Sequence, residues 1–148
     1  MEVIEVFKGF AADFELCVAD DNWSRLAKWL AEDAIYLNVG GPDPRFEGRD
    51  AIINYLREDV MNLDRRFDSR RLEAITEPQV EGSQLSRRWR VTYTFAGTPD
   101  LVVEGEARYL IVDGLIRRVE EEATPKSLQA VGAWMAQYGE RLQGSSAS

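Results

Sequence analysis

The N-terminal stretch repeats apolar side chains every three or four residues: Val3, Phe7, Phe10, Phe14 and Cys17, with Leu16 and Val18 beside them. That spacing predicts an amphipathic helix over residues 2–19. Asp20-Asp21-Asn22 then supplies a stop and a cap for a second helix, 22–31, which buries Leu26, Leu30 and one or both of Trp23 and Trp29. A short strand is expected at 34–39. A rim loop follows, through Gly40, Gly41, Pro42 and Pro44. A third helix, 49–59, carries Ile52, Ile53, Leu56 and Val60 on its apolar face.

From Phe67 to Glu121 the period changes from helical to two, with turn signals at Glu81-Gly82, Ala96 to Asp100 and Asp113-Gly114. In "RRWRVTYTF", Trp89, Val91, Tyr93 and Phe95 share one face; Arg88, Arg90, Thr92 and Thr94 share the other. In "LVVEGEARYLIV", Leu101, Val103, Gly105, Ala107 and Tyr109 oppose Glu104, Glu106 and Arg108. The charged faces have opposite signs, so Arg88 and Arg90 are expected to pair across the hairpin with Glu104 and Glu106. A last helix, 125–142, presents Leu128, Val131, Trp134, Met135, Tyr138 and Leu142. This order predicts an α+β fold: a curved antiparallel sheet wrapped around N-terminal helices, a cone-shaped half-barrel with an interior pocket. Residues 1–142 read as one domain and 143–148 as a small, polar, disordered tail.

Composition narrows the chemistry. The chain has 148 residues, 45% of them hydrophobic and 30% charged, with a net charge of −8. Such an acidic balance argues against a nucleic-acid partner, which needs concentrated positive charge. No apolar run reaches membrane-spanning length, and "MEVIEVFKG" lacks the pattern of a secretory leader, so no membrane association is expected. A lone cysteine, Cys17, fits a reducing, cytoplasmic setting and reads as core filler. There is no histidine, which removes histidine-based nucleophilic, acid–base and metal chemistry; no spacing suggests a carboxylate metal site. Chemistry is left to carboxylates, Tyr, Asn, Arg and Lys.

The segment "WLAEDAIYLNVGGPDPRFEGRDAI" carries a family resemblance. A helix ending in Ala-Glu-Asp, a short strand, a Pro/Gly loop and a "GRDAI" helix start resemble the nuclear transport factor 2-like superfamily over roughly residues 5–125. That superfamily includes polyketide cyclases, ketosteroid isomerase, scytalone dehydratase and limonene epoxide hydrolase. One scaffold serves many reactions there, so the resemblance speaks for fold more than activity. The positions of ketosteroid isomerase's base, tyrosine and aspartic acid fall on Asn38, Phe14 and Gly105, which cannot do that work. The limonene epoxide hydrolase branch fits better. Its Tyr-X-Asn pattern is matched by Tyr36 and Asn38, which would hold a water, and its carboxylate base by Glu121 of "VEEEAT". Its Arg-X-Asp pair falls on Arg88 and Arg90, or with a one-residue shift on Trp89 and Val91; neither supplies the acid.

Together these readings nominate Glu121, Asn38 and Tyr36 as the catalytic set. Phe14, Trp29, Trp89, Val91, Tyr93, Val103, Gly105 and Val119 are the expected pocket lining. The expected function is a small-molecule pocket protein, acting without metal or cofactor as a hydrolase, isomerase or cyclase on an apolar cyclic substrate. The alternative is a non-catalytic binding or interaction module. A homodimer is expected in either case, because the resembling families often pair through the outer sheet face.

Overall fold

The computed structural model describes residues 2–40 and 44–147. Gly41 and Pro42 of the expected rim loop thus lie outside the described residues. Helix α1, Val3–Asp20, buries Val6, Phe7, Phe10 and Cys17 along one stripe. It ends where Asp21 turns left-handed (φ 63°) and returns its N–H to the Cys17 carbonyl.

The next segment corrects one expectation. Trp23–Trp29 is a 3₁₀ turn rather than an α-helix, and the first strand starts at Leu30 instead of 34. The reason is spacing: Trp23, Leu26 and Trp29 recur every third residue, which stacks them on one face only at three residues per turn. Trp29 leans on α1 at Gly9, where a Cβ would lie 2.3 Å from its ring, and its indole N–H donates to Asp13 at 2.7 Å.

Strand β1, Leu30–Asn38, pairs with the short β2, Arg45–Glu47, and α2 spans Arg49–Asn62. A 3₁₀ turn at Asp64–Arg66 leads into β3 (Ser69–Ala74), β4 (Gln79–Glu81), β5 (Gln84–Thr94), β6 (Leu101–Val112) and β7 (Leu115–Ala123). Helix α3, Pro125–Ala147, closes the chain and continues past the expected end at 142. The strand order is β2-β1-β7-β6-β5-β3, with β4 also on β5. The pairings are antiparallel except β1 on β7, which is parallel, so the sheet is mixed.

The long hairpin has the expected register. Arg88 faces Glu106 and Arg90 faces Glu104. Arg90 closes its ion pair at 3.2 Å, whereas Glu106 turns to Arg108, which also holds Glu120 and Glu122. Between β6 and β7 a two-residue turn at Asp113-Gly114 has positive φ at both positions, the geometry that matches strand twist. A register shift then lets Ile116 and Val119 both face the core.

The inner sheet face is covered in two halves. Helix α1 packs with Leu85, Tyr109, Ile111, Ile116 and Val119. Helix α3 contributes Trp134 and Leu142 to a second cluster with Phe67, Val91, Tyr93 and Leu101. Trp89 touches both clusters, and the space between them is not filled.

Candidate functional site

Three rows of inward-facing residues cross the sheet. Arg87 on β5, Ala107 on β6, Glu121 on β7 and Asn38 on β1 lie side by side. The row on one side is Leu85, Tyr109, Val119, Tyr36 and Phe46; on the other it is Trp89, Gly105 and Ala123. Arg87 and Glu121 stand two strands apart, about 10 Å between backbones. Only a methyl group separates them at Ala107, and only hydrogen separates Trp89 from β7 at Gly105. Small residues on β6 thus hollow the sheet's inner surface.

Above them is a cavity of about 170 Å³. Phe10 and Phe14 of α1 and Leu56 of α2 wall it on the helical side. Tyr36, Tyr109, Glu121, Arg87, Trp89, Val91 and Tyr93 wall it on the sheet side. Asp59, Asp64, Glu15 and Arg70 stand toward the other end.

Glu121 keeps some accessible surface because it lines this cavity, while protein atoms surround its carboxyl. Burial raises its pKa to about 7; Arg87 and the Trp89 indole N–H act in the opposite direction. The indole N–H favours the ionised carboxylate without closing a hydrogen bond of ordinary geometry. Both Trp89 Nε1 and Arg87 Nε are buried with no hydrogen-bond partner among the described residues. Arg87 is steadied from the other side by the Phe7 ring, 5.0 Å away. Burial, followed by the charge of Glu121, raises the pKa of Tyr36 and of Tyr109, so both stay neutral phenols.

The opposite end is tightly paired. Tyr93 donates its hydroxyl to Asp64 at 2.9 Å, and Arg70 Nε lies 2.8 Å from the other Asp64 oxygen. Arg70 also holds Glu15 at 2.8 Å and lies over the Phe14 ring at 5.9 Å. Burial raises the Asp64 pKa, with Arg70 and the Tyr93 hydroxyl pulling it back. Asp59 stands at the mouth with solvent on one side; packing on the other, then the charge of Asp64, raises its carboxyl to about 6.

Of the nominated residues, Glu121, Tyr36, Phe14, Trp89, Val91 and Tyr93 meet at this cavity. The others are placed elsewhere. Asn38 gives its amide N–H to the Tyr55 hydroxyl at 2.7 Å, and Tyr55 stacks on Phe46 at 4.1 Å. Trp29 lies against Gly9 on α1, Val103 packs in the α3 cluster, and Val119 is solid core. Gly105 lies under Trp89 instead of on the open wall.

Arg87 is the residue that sequence reasoning missed. Strand alternation with Trp89 points it inward, so Arg87 and Trp89 both line the cavity, while Arg88 and Arg90 face the other way with Glu106 and Glu104. The Asp64–Arg70 pair carried no local signal, since it forms only when β3 and the segment after α2 come together.

A larger depression of about 680 Å³ lies on the outer sheet face. Of its charges, Glu106, Arg108, Arg118 and Glu120 pair with one another, Glu81 stands beside them, and it holds none of the unpartnered buried donors. The inner cavity is therefore the candidate site.

A cone of α+β architecture with a hollowed interior defines a protein of the nuclear transport factor 2-like class. The chain belongs to the SnoaL-like domain family, whose family model matches residues 11–119. Three solved structures show the same fold. An LEH-like epoxide hydrolase from M. tuberculosis superposes with a TM-score of 0.62 at 14% identity, over 91% of this chain and 96% of that one. A proposed polyketide cyclase from Xanthomonas campestris pv. campestris gives 0.58 at 23% identity, over 92% and 98%. A proposed isomerase from Bacillus subtilis gives 0.63 at 18% identity, over 89% and 96%. No curated protein matches the sequence significantly.

Proposed function

We propose that this chain is an acid–base enzyme that needs no cofactor and uses Glu121 to move a proton on a small cyclic carbonyl substrate. One observation carries the reading: a carboxyl raised to about 7 by burial shares a cavity with two N–H groups that close no hydrogen bond of ordinary geometry among the described residues. A group with that pKa is divided between base and acid near neutrality, where general catalysis works best. In the proposed cycle the Glu121 carboxylate takes a proton from the carbon beside the carbonyl. The electron pair moves to the carbonyl oxygen, which accepts hydrogen bonds from Trp89 Nε1 and Arg87. The Glu121 carboxylic acid then returns the proton to a different carbon of the enolate, or the enolate adds to a second carbonyl of the same molecule and the acid protonates the alkoxide that forms. The first outcome is isomerisation and the second is cyclisation. Opening an epoxide fits these residues less well, because an indole N–H can donate a hydrogen bond but cannot deliver its proton.

The half-reaction can be read without knowing the product. Cyclic ketones incubated with the protein in D₂O should exchange their α-hydrogens, followed by NMR. The rate should climb as pH passes through about 7 and the carboxylate forms. Glu121→Gln should lower it by about 10²–10⁴-fold. Exchange at the wild-type rate in that variant would remove Glu121 from the reaction.

A further inference from the structure

Trp89 is held in an unusual position. A Cβ at Gly105 would lie 2.5 Å from Cζ2 of the indole and 2.6 Å from the Glu122 carbonyl oxygen. The ring therefore rests directly on the β6 backbone, in a bed that only glycine leaves open. From there it does two things at once. It presents Nε1–H without a partner of ordinary hydrogen-bond geometry, and as the largest kind of side chain it occupies the space over Gly105 and walls the cavity. What remains is about 170 Å³. An apolar cavity of about 150 Å³ accommodates benzene. The remaining space beneath the mouth at Asp59 is thus close to the size of one six-membered ring, with aromatic walls at Phe10, Phe14 and Tyr36.

We infer that Trp89, bedded on Gly105, sets the substrate class of this cavity: carbonyl compounds that place a single six-membered ring inside, with the carbonyl oxygen accepting from Trp89 Nε1. Fused second rings are excluded because the indole already occupies their place. The inference rests on the reading of the cavity as the substrate site, but not on the role of Glu121, and equilibrium binding tests it separately from turnover.

The probes are cyclohexanone, with one ring, and 1-tetralone, with two. Each is titrated into ¹⁵N-labelled protein while the indole N–H resonance of Trp89 is followed, assigned by its disappearance in Trp89→Phe. Cyclohexanone should move that resonance to saturation, and 1-tetralone should bind more weakly by about tenfold or more. Trp89→Ala should reverse the order of the two ligands. Trp89→Phe, which keeps a ring in the bed and loses the donor, should keep the preference for one ring while weakening cyclohexanone by about three- to tenfold. The last variant decides the matter if Trp89→Ala does not fold. Equal or tighter binding of 1-tetralone to the wild type overturns the inference. So does an indole resonance that cyclohexanone leaves unmoved, or a ligand order unchanged in Trp89→Ala. Glu121-dependent exchange of 1-tetralone would leave the proposed reaction standing while this inference fell. Cyclohexanone bound on Trp89 but never exchanged would do the reverse.

Discussion

At one end of the cavity Asp64 receives the Tyr93 hydroxyl and Arg70, and Arg70 also holds Glu15. At the other end Glu121 shares the space with Trp89 Nε1 and Arg87 Nε, and neither donor has a partner among the described residues. Both ends bury charge in a chain of modest size, yet they solve the cost of burial differently. Pairing and hydrogen bonding offset desolvation at the Asp64 end, which makes that cluster part of the architecture. At the Glu121 end burial outweighs the pull of Arg87 and Trp89 on the carboxylate, and neither donor closes a hydrogen bond of ordinary geometry. Arg70 Nε also closes no hydrogen bond of ordinary geometry, but it stands 2.8 Å from the Asp64 carboxylate, whereas Arg87 closes no ion pair among the described residues; close charge pairing separates scaffold from site here.

The contrast is most easily broken from the paired side. Arg70→Met would leave Asp64 without its counter-charge; the two side chains are only 14% and 8% exposed. Removing one member of a buried pair costs about 3–5 kcal/mol. Chemical denaturation of the variant should show that loss, with a fall in melting temperature of about 10 °C. A loss below about 1 kcal/mol would reduce the cluster to the worth of a surface pair and erase the distinction.

Glu121→Gln should act in the opposite direction. The carboxyl titrates near 7 in the folded chain against an ordinary value of 4.5. The folded state therefore holds its proton more tightly than the unfolded chain does. Stability from this group is present below pH 4.5 and is lost as pH rises through about 7. The neutral amide does not titrate, so the variant should gain on the wild type across that window. The gain should reach the order of 3 kcal/mol above it. Denaturation midpoints of both proteins from pH 4 to 8 measure this. Parallel curves would mean that Glu121 is solvated and paired well enough to titrate normally, and the two ends would then be alike.

How far the sequence reveals this arrangement depends on the distance over which each signal acts. Alternation along a strand is local, so the faces of β5 and β6, the Arg90–Glu104 partnership and the inward aim of Tyr36 and Glu121 could all be read directly. The same alternation pointed Arg87 inward. The family resemblance instead directs attention to Arg88 and Arg90, one position along the strand. The 3₁₀ turn at Trp23–Trp29 was legible in its threefold spacing but resembles a short helix when Leu30 is counted with it. Arg70 and Asp64 belong to different elements and meet only through the fold, so no spacing announces them. The parallel pairing of β1 with β7 is of the same kind: it joins the first long strand to the last, and it sets Asn38 beside Glu121.

That last adjacency allows a finer test. Asn38 shares a row with Glu121, yet its amide donates to Tyr55 behind the cavity wall. Tyr55 in turn stacks on Phe46 and lies 5.4 Å from Tyr36. If Asn38 belongs to the satisfied part of the molecule, Asn38→Ala should lose about 0.5–1.5 kcal/mol, the worth of one hydrogen bond. The pH midpoint of proton exchange by Glu121 should then stay where it was. The carboxyl is governed by burial, with Arg87, Trp89 and Arg108 opposing it. A displaced midpoint at unchanged stability would place Asn38 with the unsatisfied groups instead, as a residue that positions Tyr36 or a water against the carboxyl. Stability and exchange profile, measured on the same variant, therefore assign the residue to one end of the cavity or the other.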